Sequence, residues 1–297
     1  MSRSVAATGA VLIALGVAVF LAKTLIYELP LAPAEGLGSW QVELRINVRG
    51  EGKRGSVRAL LPASGDGQAV FDERSSSDRL DFSIRSTDGA RIGVWTGWIE
   101  DVHEIVYGFR VQVRGVSIEL PVDEVFDPPE SVRRNYGQPT PDFPSRAPEV
   151  VHLLEGLRLP SPADVAGRIR TLYSFVSYEI ATVPSAGKDA VLTLSQREGS
   201  PEGKERLLVT LLRASGIPAR SIRGLELREG TDPEARIWTE AYLGGHWLPM
   251  STVDGFFAAR PANLVVLGSG DRPLLEATGV RAVGHRYRCM HEYLRPE

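Results

Sequence analysis

Glu198-Gly199-Ser200-Pro201-Glu202-Gly203-Lys204-Glu205-Arg206-Leu207-Leu208-Val209-Thr210-Leu211-Leu212-Arg213-Ala214-Ser215-Gly216-Ile217-Pro218-Ala219-Arg220 decides the fold. The run predicts one helix with both ends written into it. Ser200 is placed to cap the first amides, Pro201 suits the first helical position, and Glu202 sits against the positive end of the helix dipole. Gly216 stops the helix and Pro218 prevents its resumption. Leu207, Leu208, Leu211 and Leu212 recur at helical spacing, so this is a core element.

The same run resembles the core helix of the transglutaminase-like superfamily, whose fold is papain-like. The strongest part of the likeness is Arg213 to Arg220, ending Gly216-Ile217-Pro218-Ala219-Arg220. The resemblance implies that the helix should begin with a nucleophilic cysteine, where amides and dipole favour a thiolate. That position falls on Pro201. The family's His-x-Trp-x-Glu strand corresponds to Arg236-Ile237-Trp238-Thr239-Glu240, with Arg236 in the histidine's place. The aspartate that follows a Trp-x-Pro motif corresponds to Ser251, after Trp247-Leu248-Pro249-Met250. The resemblance therefore implies an inactive member of this fold, with no catalytic residue at any of the three positions.

Around this core the chain divides by texture. Its 297 residues are 43% hydrophobic and 24% charged, a globular balance, and a net charge of −3 with basic residues scattered argues against nucleic acid as a partner. One cysteine, Cys289, allows no internal disulfide, and no Cys/His spacing suggests a metal; no cofactor is expected. Residues 5–27 are nearly uncharged and about long enough to cross a bilayer, which predicts an uncleaved transmembrane anchor, with a cleaved signal peptide as the alternative. Strict alternation in Trp40–Val48, Leu80–Ile84 and Ile105–Val113 predicts a small antiparallel β-sandwich over 38–122, with Trp95, Trp98 and Tyr107 read as core packing, a ligand-stacking set being the alternative. Residues 123–159 are proline-rich and read as a linker without regular structure. The α+β, papain-like domain follows over 160–267. It opens with a helix after Ser161-Pro162-Ala163-Asp164 whose Val165, Ile169, Leu172, Tyr173 and Val176 share a face. Paired glycines Gly244-Gly245 predict a hairpin, and no element is assigned over 268–297.

The front half also resembles a bacterial membrane family described as inactive transglutaminase fused to seven transmembrane helices. That likeness implies a soluble part on the periplasmic, extracytoplasmic side of the cytoplasmic membrane, acting with membrane helices and binding a peptide or protein partner. An active hydrolase or acyltransferase with an atypical nucleophile, and a purely structural scaffold, remain alternatives. Ser200 and Cys289 are the possible nucleophiles and His246 the nearest histidine, although a cap, an incidental thiol and a solvated hairpin position account for them as well. Glu202, Lys204, Arg236, Trp238 and Glu240 are the candidate ligand-binding residues. Glu202 and Lys204 are expected to look toward Arg236, Trp238 and Ser251 across a vestigial groove in which Arg236 and the helix-start amides favour a carboxylate-bearing ligand; the alternative is that Arg236 makes an ion pair with Glu202 or Glu240 and Trp238 packs in the core.

Overall fold

Alternation along Trp40–Val48 becomes a strand with Trp40, Val42, Leu44, Ile46 and Val48 buried on one face. The structure, a computed structural model, describes residues 38–292 apart from 66, 88–89, 121–125, 231 and 270–271. Six strands come first: β1 (Gly38–Arg49), β2 (Lys53–Leu61), β3 (Gln68–Ser77), β4 (Asp81–Thr87), β5 (Ala90–Ile99) and β6 (Val102–Val113), followed by the short β7 (Val116–Ser117). A mostly helical stretch contains α1 (Glu130–Tyr136), α2 (Pro148–Gly156), α3 (Val165–Glu179), β8 (Ala181–Thr182), α4 (Ala190–Gln196), β9 (Glu198–Gly199) and α5 (Pro201–Ala214). The chain closes with β10 (Ala219–Glu226), β11 (Glu234–Leu243), β12 (His246–Met250), β13 (Ala259–Arg260), β14 (Leu264–Ser269), β15 (Leu275–Thr278) and β16 (Ala282–Glu292). The architecture is α+β and rich in strand.

The all-β region read over 38–122 is incomplete by itself. Its two sheets run β16-β1-β6-β3 and β15-β2-β5-β4, so each takes one edge strand from beyond residue 268. β16 pairs with β1 along its whole length, from Ser39 opposite Glu292 to Arg49 opposite Ala282. Residues 268–297 look featureless in sequence because β16 is an edge strand: among its residues only Tyr287 is buried, so no apolar alternation is needed. The two sheets share one apolar cluster that includes Trp95, Tyr107, Leu44 and Leu61. Trp98, expected in the core with them, is instead 58% exposed, its indole turned to solvent where it donates to Glu100 at 3.0 Å.

In the helical part, α5 is buried from Gly203 through Arg213, with α3 and α4 on one side and β10 and β11 on the other. Ser200 accepts the Gly203 amide at 3.1 Å, and Gly216 takes φ +79° just beyond the helix, as the sequence requires. The sheet behind α5 runs β12-β11-β10-β14, and the β11–β12 hairpin turns through Gly244 and Gly245 at positive φ. Leu225, Leu227, Val265 and Leu267 from β10, β14 and the residue after β10 join the apolar cluster of the two-sheet unit. Gln68 stitches the units together: its side chain accepts the Val266 amide at 2.8 Å and donates to the Val266 carbonyl at 2.9 Å.

Two expectations need revision or lie elsewhere. The stretch 123–159 is not without regular structure, since it holds α1 and α2. Two of its prolines start helices instead of breaking them, Pro129 at the cap of α1 and Pro148 in the first turn of α2, where a missing amide hydrogen costs nothing. The anchor expected over 5–27 falls outside the described residues, among which no helix is long and apolar enough to cross a membrane.

Candidate functional site

The start of α5 is filled and capped. Ser200 Oγ donates to the Gly187 carbonyl at 3.1 Å while accepting from Gly203, so both of its hydrogen-bonding roles are structural. A Cβ on Gly203 would come within 2.7 Å of the Gly187 carbonyl and of Thr193, which shows how closely the preceding loop and α4 press on this turn. Glu202 is occupied by cations: Arg223 at 3.0 Å, Arg206 at 3.1 Å and Lys188 at 3.7 Å. Lys204 is buried and turns toward α3 and β8, donating to Thr182 Oγ1 at 3.1 Å and the Ser177 carbonyl at 3.4 Å. Burial holds its ammonium below the ordinary lysine pKa.

Residues of β11 divide by the two-residue period of a strand. Thr239 bonds to α5 and Ala241 packs in the cluster that contains α5, so Trp238 and Glu240 lie on the other face. Trp238 is fully buried with Ile222 and Leu264, packed against Phe256 and Val266. Glu240 takes two hydrogen bonds from Arg220, at 2.7 and 2.9 Å, and the Arg220 guanidinium lies over the Trp247 ring at 4.0 Å. Arg236 pairs with Glu226 at 2.5 Å and Glu234 at 2.7 Å, with Asp254 at 3.8 Å. The expected grouping of Glu202 and Lys204 with Arg236, Trp238 and Ser251 across one groove therefore does not form: Trp238 packs in the core, and Arg236 makes ion pairs with Glu226, Glu234 and Asp254, not with Glu202 or Glu240. Nor is the Arg236 charge available to a carboxylate ligand, because three acidic side chains already surround it.

What the structure does gather around α5 is a carboxyl that sequence reasoning missed. Glu205 is fully buried and receives Thr239 Oγ1 at 2.7 Å, the Thr252 amide at 2.7 Å, Thr252 Oγ1 at 2.9 Å and Ser251 Oγ at 3.4 Å. Burial pushes its carboxyl up to about 7 against the opposing effect of those hydrogen bonds, and the nearby Asp254 charge adds to the rise. The signal was present: Glu205 precedes Leu208 and Leu212 by one and two turns, so it continues the buried stripe. Ser251, wholly buried, also reaches Asp254 Oδ2 at 3.2 Å. Ser251, Asp254 and Arg236 thus form a connected row at the end of β12, in which neither a thiol nor an imidazole takes part. Cys289 lies in β16, where burial raises its thiol pKa, and His246 is exposed on the hairpin.

Two cavities adjoin these residues. One of about 260 Å³ opens beside Arg236, between Glu226, Arg228, Asp254, Phe256 and Leu264. Another of about 270 Å³ lies between the two-sheet unit and the helical unit, where Gln68, Arg220, Glu240 and Trp247 meet. Among the described residues, no three His, Cys, Asp or Glu come together in a way that could hold a metal ion.

The helix capped by Ser200, the antiparallel sheet behind it and the order of the motifs agree with what the family comparison finds: residues 156–252 match the model of the transglutaminase-like superfamily. This stretch is similar to a transglutaminase-like domain. Residues 23–132, ahead of the domain, match the family described as inactive transglutaminase fused to 7 transmembrane helices. A solved structure from Cytophaga hutchinsonii, provisionally described as a cysteine protease, aligns with a TM-score of 0.68 and 15% identity over 89% of this chain and 93% of that one. At that identity the likeness concerns the fold alone, and it extends well beyond the transglutaminase-like domain. A second, from Parabacteroides distasonis and provisionally described as a protease, covers 70% of this chain and 43% of that one at 14% identity and a TM-score of 0.30. No curated protein matches the chain.

Proposed function

We propose that the protein is a membrane-associated pseudoenzyme: its transglutaminase-like domain catalyses nothing, lies on the outer side of the cytoplasmic membrane, and binds a peptide or protein partner through its surface. One observation carries this reading. Each position where the family resemblance places nucleophile, base and orienter is occupied by a residue committed to structure. Pro201 opens α5, Arg236 is held among Glu226, Glu234 and Asp254, and Ser251 is buried against Glu205 and Asp254. Proline has no nucleophile, and a guanidinium does not give up its proton near neutral pH. The family matched ahead of the domain is described as inactive and joined to transmembrane helices, which supports both the loss of activity and the membrane setting.

The partner's place in this reading is the cavity beside Arg236. Its charged lining is Glu226, Asp254, Arg236 and Arg228, with Phe256 and Leu264 supplying an apolar wall, so it suits an uncharged or basic side chain better than a carboxylate. A photo-crosslinking amino acid at Arg228, in the full chain in its native membrane, is expected to trap one discrete partner. Absence of any adduct, or a smear of unrelated ones, would overturn partner binding there. Incubation with amine donors, glutamine peptides and serine-directed covalent probes is expected to give neither turnover nor labelling of Ser200. Turnover abolished by Ser200→Ala would sink the pseudoenzyme reading. A periplasm-active reporter fused after Pro160 should be active, and a cytosol-only reporter silent, if the body lies outside the membrane.

A further inference from the structure

Among the described residues, strand β4 is the one long edge of the two-sheet unit that has no bulge, no proline and no run of like charge. All seven residues, Asp81 to Thr87, are exposed, and they pair with β5 from Asp81 opposite Thr96 to Thr87 opposite Ala90 without a break in register. The other edges are defended. β3 is interrupted between Phe71 and Arg74, with Asp72 at φ +53°; β15 has only four residues; β16 carries His285, Arg286, Arg288 and His291, a row of mostly basic side chains that would repel its own copy. Exposed edges without bulge, proline or like charge are templates for further pairing.

The side chains on β4 state what it pairs with. Phe82 and Ile84 share the face that turns toward the interior between the sheets, where Phe82 stacks on the buried Trp95 at 4.9 Å, yet they remain 37% and 43% exposed. Asp81 and Arg85 lie on the opposite face, and neither is paired with an opposite charge among the described residues. We propose that β4 pairs antiparallel with β4 of a second copy of this chain, about a twofold axis through Ser83. That register sets Ser83 against itself, Phe82 against Ile84 of the second copy, and Asp81 against Arg85 of the second copy, twice over by symmetry. Centring the axis on Ile84 instead places Asp81 opposite Thr87 and Ser83 opposite Arg85, which leaves both charges unanswered. The sheet β15-β2-β5-β4 then continues into the second copy, and the apolar interior closes over Phe82 and Ile84 at the seam.

The test uses the full chain in mild detergent, with sedimentation equilibrium as readout and thermal melts to verify folding. The parent is expected to be a dimer. Asp81→Arg and Arg85→Asp singly turn two attractions into two repulsions, and each should weaken dimerisation about tenfold. The double variant Asp81→Arg/Arg85→Asp restores the pairing and should recover the parent's Kd. Ser83→Cys, in a Cys289→Ser background, should form an intermolecular disulfide under mild oxidation. A monomeric parent, single variants that dimerise as the parent does, a double variant that fails to recover, or capture of a different protein by the thiol introduced in Ser83→Cys would each overturn the proposal.

Discussion

Arg236 illustrates how a charged residue can be legible in position and opaque in partnership. The family resemblance is what sets it in the histidine's place, but the carboxylates that hold it come from β10, from β11 itself and from the loop after β12. Arg236→Glu leaves Arg228 alone to answer four carboxylates, so we expect a loss of about 2 kcal/mol in a chemical denaturation experiment. An unchanged midpoint would mark those ion pairs as marginal. Glu205 makes a prediction with a sign. Its folded carboxyl titrates at about 7, against an ordinary value of 4.5. Between those values the folded state keeps a proton that the unfolded state releases. Its contribution is therefore intact below pH 4.5 and is lost as pH rises to 7, by about 3 kcal/mol in all. Glu205→Gln keeps the shape: an amide nitrogen donates to Thr239 Oγ1, whose hydroxyl passes on to the Glu205 carbonyl at 3.3 Å, and the amide oxygen accepts from Thr252. The difference in melting temperature between variant and parent should favour the variant increasingly from pH 5 to 8, and a difference independent of pH would refute the assignment.

At the scale of elements, what the sequence announces are caps and periods. α5 and α3 are legible because Ser200, Pro201 and Asp164 mark their starts and their leucines and valines keep helical spacing. β1 and β6 are legible because one face is wholly buried. Among the strands that escaped are β15 and β16, edges with little to bury, and the helices that escaped are α1, α2 and α4, none longer than nine residues. The site suffered from a subtler limit: a strand shows its two faces to a reader but not which one meets the helix, and the side of β11 that faces α5 carries Thr239 instead of Trp238. Gly224 is the element-scale test of this packing. Beside a break in the β10–β14 register, a Cβ there would stand 2.2 Å from the Val265 carbonyl and 2.5 Å from the Trp238 ring. Gly224→Ala should cost about 3 kcal/mol, because backbone and a fully buried indole must both move. A variant as stable as the parent would show that β14 is not held as described.

For the whole molecule, the returning strands matter more than their sequence suggests. A chain shortened to end at residue 269 keeps the transglutaminase-like domain intact but strips β16 from β1 and β15 from β2, exposing eleven paired positions on β1 alone. We expect such a chain to lose cooperative unfolding of both units together, since Leu225, Leu227, Val265 and Leu267 bind the domain's sheet to the same apolar cluster. A single sharp melt near the parent's temperature would contradict this. Circular dichroism on the two chains settles it.

The pairing of Ser39 with Glu292 puts the first and last described strands side by side at the same end of one ladder. Tension applied between those two points would not shear β1 against β16. It would peel them apart one hydrogen-bonded rung at a time, as a zipper opens, so resistance at any moment is that of a single rung. Optical-tweezer traces with handles at residues 38 and 292 should accordingly show the two-sheet unit yielding at low force from that end, with the helical core released only afterwards. A body hung from both of these points can be opened gently by a pull between them, while a pull on either point against the far side of the sheet would meet the whole ladder at once.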